Sequence, residues 1–157
     1  MKNTKLKVHF SSDKHDWETP QDLFNALHKE FHFVLDVCAT HENAKCAKYF
    51  TEKDDGLSQA WLWSCWMNPP YAKGVQRQWI EKAYEESQRG CTVVCLIPAR
   101  TDTKLWHECV MKAAEVRFIE GRLKFGNAKN AAPFPSAIVI FKPGTHQTQF
   151  RSYKKPK

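Results

Sequence analysis

Asn68-Pro69-Pro70-Tyr71 is the stretch of this sequence whose residue types and order could do chemistry. An amino nitrogen conjugated to an aromatic ring, as in adenine, is a poor nucleophile because its lone pair is delocalised. It needs acceptors for its two N–H bonds more than it needs a strong base. Two such acceptors pull the nitrogen toward tetrahedral geometry and turn its lone pair toward an incoming carbon. The side-chain oxygen of Asn68 and the carbonyl of Pro69 can serve. Pro69 brings no competing N–H, and Pro70 stiffens the turn that aims the carbonyl. Acceptors held in place beforehand are electrostatic preorganisation, often the largest catalytic contribution. Tyr71 offers an aromatic face for an extruded base, a contact worth roughly 1–3 kcal/mol per base. Asn in place of Asp avoids a full negative charge beside the target. The plain alternative is a proline turn with a buried tyrosine, and context decides between the two.

The context is a series of helices and strands. Thr19 is a suitable N-cap and Pro20 a suitable first helical residue, followed by Leu23, Phe24, Leu27 and Phe31 at helical spacing. Residues 33–37 read as a short buried strand carrying Asp36, with a short helix over 44–47 and a small strand at Tyr49-Phe50 beyond it. Asp54-Asp55-Gly56 is a turn. Residues 61–67 are apolar and end on the Asn68 loop, where two prolines force the chain out of the sheet. A helix over 75–89 stops at Gly90, and Cys91 to Ile97 form a continuous apolar strand ended by Pro98. A helix over 103–114 and strands at 116–119 and 137–141 complete the pattern. Unbroken apolar strands alternating with helices imply an α/β fold whose sheet is mostly parallel and covered on both faces. Ligands bind such sheets beyond the carboxyl ends of the strands. Asp36, Asn68 and the Arg100–Asp102 segment all fall there.

The 157 residues suit one compact domain, 16–143, flanked by basic arms at 1–15 and 144–157. Hydrophobic residues at 42% and charged residues at 26% indicate a soluble globular chain. No apolar run approaches the roughly 20 residues that span a bilayer, and no signal-peptide core is present, so a membrane role is excluded and a cytoplasmic location expected. A net charge of +7 favours a polyanionic partner through phosphate neutralisation. The six cysteines lack paired C-x-x-C spacing. Cys91 and Cys95 lie in a stretch that reads as a buried strand, and Cys38, His41 and Cys46 could be brought together only without that spacing; buried free thiols and no metal are expected.

The motifs, in order, are Trp17-Glu18-Thr19-Pro20, Leu35-Asp36-Val37-Cys38-Ala39 with Asn43, Asp54-Asp55-Gly56-Leu57 and Asn68-Pro69-Pro70-Tyr71. Residues 96–103, Gly121-Arg122-Leu123-Lys124-Phe125 and Ala132-Pro133-Phe134-Pro135-Ser136 follow. From about Phe10 to Phe141 the chain resembles the phage-type DNA N6-adenine methyltransferases, the small Dam-like family. The resemblance implies a compact Rossmann-like sheet that uses S-adenosylmethionine to methylate adenine N6 in double-stranded DNA. By it, Trp17, Thr19 and Pro20 lie near the methionine end of the donor, with Asn68 beside them. Asp36, Val37, Cys38 and Ala39 form the first donor-binding turn, and Asp54 or Asp55 reaches the adenosine. The sequence departs from larger methyltransferases in lacking a glycine-rich turn after the first strand. Only residues 37–67 separate Asp36 from Asn68, so a sheet trimmed between the first strand and the catalytic loop is expected, with a shallow donor pocket.

No segment is long enough for a separate target-recognition domain. Lys73, Arg77, Arg100, Arg122 and Lys124 are the candidate DNA contacts, Arg100 and Arg122 flanking the expected pocket mouth; a solvated basic face is the bland reading of each. The tryptophans at 61, 63 and 66 are expected in the core. Two other functions suit the same residues: methylation of RNA or of a protein glutamine, and non-catalytic DNA binding on a retained fold.

Overall fold

The computed structural model describes residues 17–157, and the N-terminal arm expected over 1–15 lies outside them. Six strands form one sheet: β1 (Leu35–Asp36), β2 (Ser64–Met67), β3 (Thr92–Pro98), β4 (Glu115–Ile119), β5 (Ser136–Phe141) and β6 (Gln149–Tyr153), in the order β1-β2-β3-β5-β4-β6. β5 makes both antiparallel pairings, so the other five strands share one direction. The mostly parallel α/β sheet expected from the apolar runs is present. Between β1 and β2 the sheet gains only an isolated bridge from Asp36 to Tyr49, and the chain adds a single 3-10 turn, Gly56–Ser58.

Side-chain alternation along the strands builds a core on each face. Val93, Cys95 and Ile97 of β3 join Val139 and Phe141 of β5 beneath α2 (Val75–Gln88) and α3 (Lys104–Glu108). Val94, Leu96, Ile138 and Ile140 face the other way, onto Leu23, Phe24 and Leu27 of α1 (Gln21–Phe31). The loop between β4 and β5 supplies Leu123, Phe125 and Phe134 to that second layer. Every strand from β1 to β3 therefore ends between two packed layers, at the edge where Asp36 and Asn68 stand.

Several expectations change in detail. Thr19 does not cap α1: Pro20 holds the cap position without a side-chain bond, and the Thr19 hydroxyl is used elsewhere. Residues 44–47 form bends, not a helix, because Asn43 and Thr40 close a tight turn on each other's backbone N–H groups. The helix expected over 103–114 stops at Glu108 and resumes as a 3-10 turn, Val110–Lys112. Trp61 and Trp66 are buried, whereas Trp63 is 67% exposed. The C-terminal segment expected as a basic tail carries β6, which pairs with β4 from Gln149 to Tyr153. Arg117 of β4 lies between the rings of Phe31 and Tyr153 and forms a two-pronged ion pair with Glu30, tying this strand pair to α1.

Candidate active site

Asn68 follows the last residue of β2 and is held from three sides. Its amide nitrogen donates to the Trp17 carbonyl at 2.7 Å and to the Thr19 hydroxyl at 3.0 Å. Both donors are thereby used, which fixes which end of the amide is oxygen. That oxygen accepts from the Tyr71 hydroxyl at 2.9 Å and keeps a second lone pair. The Tyr71 hydroxyl also lies 3.2 Å from the Leu96 carbonyl of β3, so the loop is braced on two strands. Burial pushes the Tyr71 phenol far above its ordinary range, so it stays a protonated donor. Pro69 and Pro70 are buried beneath the loop.

The face of Tyr71 is covered. The Trp17 indole stacks on it at 6.1 Å and 24°, with Phe125 and Phe134 set edge-on around both rings. These separations are direct aromatic contacts, leaving no slot for another ring between Trp17 and Tyr71. Arg100 lies over Phe134 at 5.7 Å, at the rim of this aromatic box.

One cavity opens at Asn68, and a second shares Cys38 with it. A narrow cleft of about 20 Å³, room for one or two water-sized groups, is walled by Glu18, Thr19, Asp36, Cys38, Lys45 and Asn68, among others. Asp36 is buried, and its two oxygens accept from the backbone N–H groups of Cys38 and Lys45. A groove of about 790 Å³, the size of a small-molecule site, begins where the cleft ends, at Cys38. Val37, Cys38 and Ala39 line it from one side, Phe50, Leu57 and Trp79 from others. Gly56 closes its floor: a Cβ there would stand 2.3 Å from the Val37 carbonyl oxygen.

The structure brings Thr19, Asp36, Cys38 and Asn68 to the cleft, and Val37, Cys38, Ala39 and Asp55 to the groove. Asp54 instead accepts from the backbone and hydroxyl of Thr51, bonds that hold its carboxyl below the usual range and pin its own loop. Trp17 meets Tyr71 and stands outside both cavities, and Pro20 starts α1. Lys73, Arg100, Arg122 and Lys124 are exposed. Arg77 is engaged with Glu81 and Glu108 between α2 and α3, so its charge is already matched. Among the described residues no three His, Cys, Asp or Glu side chains are grouped to hold a metal ion. No helix among them is long and apolar enough to cross a membrane.

Comparison with known proteins decides what this site belongs to. The family model for DNA N-6-adenine-methyltransferase (Dam) matches residues 7–156. The chain belongs to this family. A DNA N-6-adenine-methyltransferase of Haemophilus phage HP1 is 32% identical over 142 residues, covering 84% of this chain and 81% of that protein. Its counterpart in Escherichia phage T1 is 29% identical over 110 residues, and there the match spans 68% of this chain but only 45% of the relative. The fold has its own parallel in a structure from Listeria monocytogenes assigned as a class I S-adenosylmethionine-dependent methyltransferase. It aligns with a TM-score of 0.56 at 11% identity, over 94% of this chain and 69% of that one.

In this Dam-family chain the sequence singled out the Asn68 loop, and the fold sets around it residues that the sequence did not single out. Phe125 and Phe134 sit in motifs quoted above, yet only the folded chain shows that they box in Tyr71. Lys45, Phe50 and Trp79 carry no local signal, since each reaches its cavity through tertiary packing.

Proposed function

We propose that Asn68 and the Pro69 carbonyl grip the amino group of a target adenine in the reaction of this family, methyl transfer from S-adenosylmethionine to adenine N6 in DNA. The observation that carries the reading is the fixed orientation of the Asn68 amide. With its nitrogen committed to Trp17 and Thr19, its oxygen is the end left to accept an N–H, and the Tyr71 hydroxyl holds that oxygen in place. A group positioned in this way costs no reorganisation when the reaction occurs.

The cavities fit the donor's two unlike ends. The groove, with aromatic and aliphatic walls and Asp55 at its rim, suits a nucleoside. The polar cleft beside Asn68 has room for the charged tip of an amino-acid end, and it combines carboxylates with a lysine. The donor supplies a methyl group on a positively charged sulfur, which needs no acid to leave. The protein's part is to hold the amino nitrogen against that methyl group and to keep water away. Asn68 and the Pro69 carbonyl draw on the N–H bonds, and Tyr71, Phe125 and Phe134 offer the base a stacked, edge-lined seat.

Trp17 occupies the face of Tyr71 that this seat requires. A flipped adenine therefore displaces the indole, and the site is closed until DNA arrives. Arg100 at the rim of the box, with Lys73, Arg122 and Lys124, provides phosphate-neutralising charge on double-stranded DNA. Arg77 contributes little, being paired already. The enzyme would work in the cytoplasm of a bacterial or phage-infected cell.

Purified protein with labelled donor and separate DNA, RNA and protein acceptors tests the reading. Label on DNA adenine that disappears in Asn68→Ala supports it. Label on RNA or protein would replace it with an RNA or glutamine methyltransferase, and DNA binding without donor binding would leave a non-catalytic binder.

A further inference from the structure

Lys45 is the one lysine lining the cleft, and its surroundings narrow what it can do there. Its side chain is 8% exposed, lying against the cleft that opens beside Asn68. An ammonium taken from water needs several strong acceptors to recover its hydration. Among the described residues its ammonium makes one hydrogen bond, to the Gln21 side-chain oxygen at 2.8 Å. The Glu18 carboxylate stands 3.7 Å away, beyond a good hydrogen bond, and is itself partly in solvent.

The position is nonetheless built. The backbone N–H of Lys45 is fixed by Asp36 at 3.0 Å, which ties the residue to the end of β1. Gln21 in the first turn of α1 has its amide nitrogen bound to Asn25, so its oxygen is turned toward the ammonium. A lysine side chain that makes one hydrogen bond among the described residues therefore lies on the cleft walled by Asp36, Glu18 and Asn68.

We propose that Lys45 is the residue that recognises the carboxylate of the methyl donor's amino-acid end. The cleft then matches the zwitterion by charge: Glu18 and Asp36 favour the ammonium and Lys45 the carboxylate. Asn68 at the inner wall places the sulfur-bearing end next to the catalytic loop. The assignment rests on the reading of this cleft and groove as the donor site, and it adds a source of selectivity for donors that carry an intact carboxylate.

Calorimetric titration of the full chain separates the two. The ligands are S-adenosylhomocysteine, its decarboxylated analogue, and methylthioadenosine, which lacks the amino-acid end. The wild-type protein should bind S-adenosylhomocysteine roughly 10–100-fold more tightly than the decarboxylated analogue, the worth of a charge-assisted hydrogen bond. Lys45→Met should lose that factor for S-adenosylhomocysteine alone and bind the decarboxylated analogue as the wild type does, which also shows that the variant is folded. Lys45→Arg should restore most of the discrimination. Unchanged discrimination in Lys45→Met overturns the assignment, as does an absence of discrimination in the wild type. Should Lys45→Met bind nothing, Lys45→Arg decides: discrimination there supports the assignment, and its loss with the analogue still bound overturns it. Failure of the wild type to bind any of the three nucleosides overturns the donor-site reading beneath it.

Discussion

Thr19 illustrates how a side chain suited to one job locally is taken for another by the fold. By residue type it suits a helix cap, but its hydroxyl accepts from Asn68, a partner 49 positions along the chain. Thr19→Val keeps the shape and removes that bond. The Asn68 amide should then lose its fixed orientation, lowering kcat roughly tenfold, the worth of about 1.4 kcal/mol, with KM for DNA little changed. Tyr71→Phe removes the other restraint on Asn68 and should behave alike in single-turnover assays. Burial pushes the Tyr71 hydroxyl up, so no phenol ionisation should show in the wild-type rate between pH 6 and about 9, the range below an ordinary tyrosine's titration. A basic limb in that range that vanishes in Tyr71→Phe would contradict this picture. Asn68 stood out in the sequence because the proposed chemistry needs only four consecutive residues. Lys45, Phe125 and Phe134 were not, because their part depends on which distant segments meet them.

The strands that carry the site were readable as apolar runs, since β2, β3 and β5 are buried on both faces. β6 was not, because Gln149–Tyr153 is an exposed edge whose composition suggests a charged tail. Removal of residues 149–157 tests that correction directly. It takes away the parallel partner of β4 and the Tyr153 ring over Arg117, so the urea midpoint should fall clearly, whereas a loose tail could be lost without effect. The turn at Gly56 was legible only as a turn. The structure adds that the residue must be glycine, because the chain crosses against the Val37 carbonyl. Gly56→Ala should cost about 1–3 kcal/mol of stability, as overpacking does, and weaken donor binding along with it. Denaturant titration and donor calorimetry on the same sample would read both effects.

Taken together, the molecule places the Asn68 loop where three parallel strands end between two packed layers, and it reaches this with very little chain between β1 and β2. Stability must come from the remaining sheet and from buried anchors such as Glu86. Burial raises this carboxyl, but the Lys82 ammonium, the Trp61 backbone N–H and Arg89 outweigh it and hold it below 4.5. A carboxyl lowered by folding stabilises the protein above its unfolded value and loses that contribution as pH falls through its folded value. Thermal midpoints should therefore drop below about pH 4.5, and Glu86→Gln should flatten that drop while lowering the midpoint at neutral pH. The mostly parallel sheet and the position of the Asn68 loop at a strand end could be foreseen from patterning. The closed aromatic box and the shape of the cavities could not, since they arise from how the β4–β5 loop and the segment before α1 fold over the strand ends.

The central claim is that a fixed Asn68 oxygen and the Pro69 carbonyl activate an adenine amino group. Single-turnover methylation of duplex DNA, followed by nucleoside mass spectrometry on wild type and Asn68→Ala at matched donor occupancy, tests it most directly. The account predicts N6-methyladenine from the wild type and a rate about 10²–10³-fold lower in the variant at that matched occupancy. Equal rates in the two proteins would contradict it.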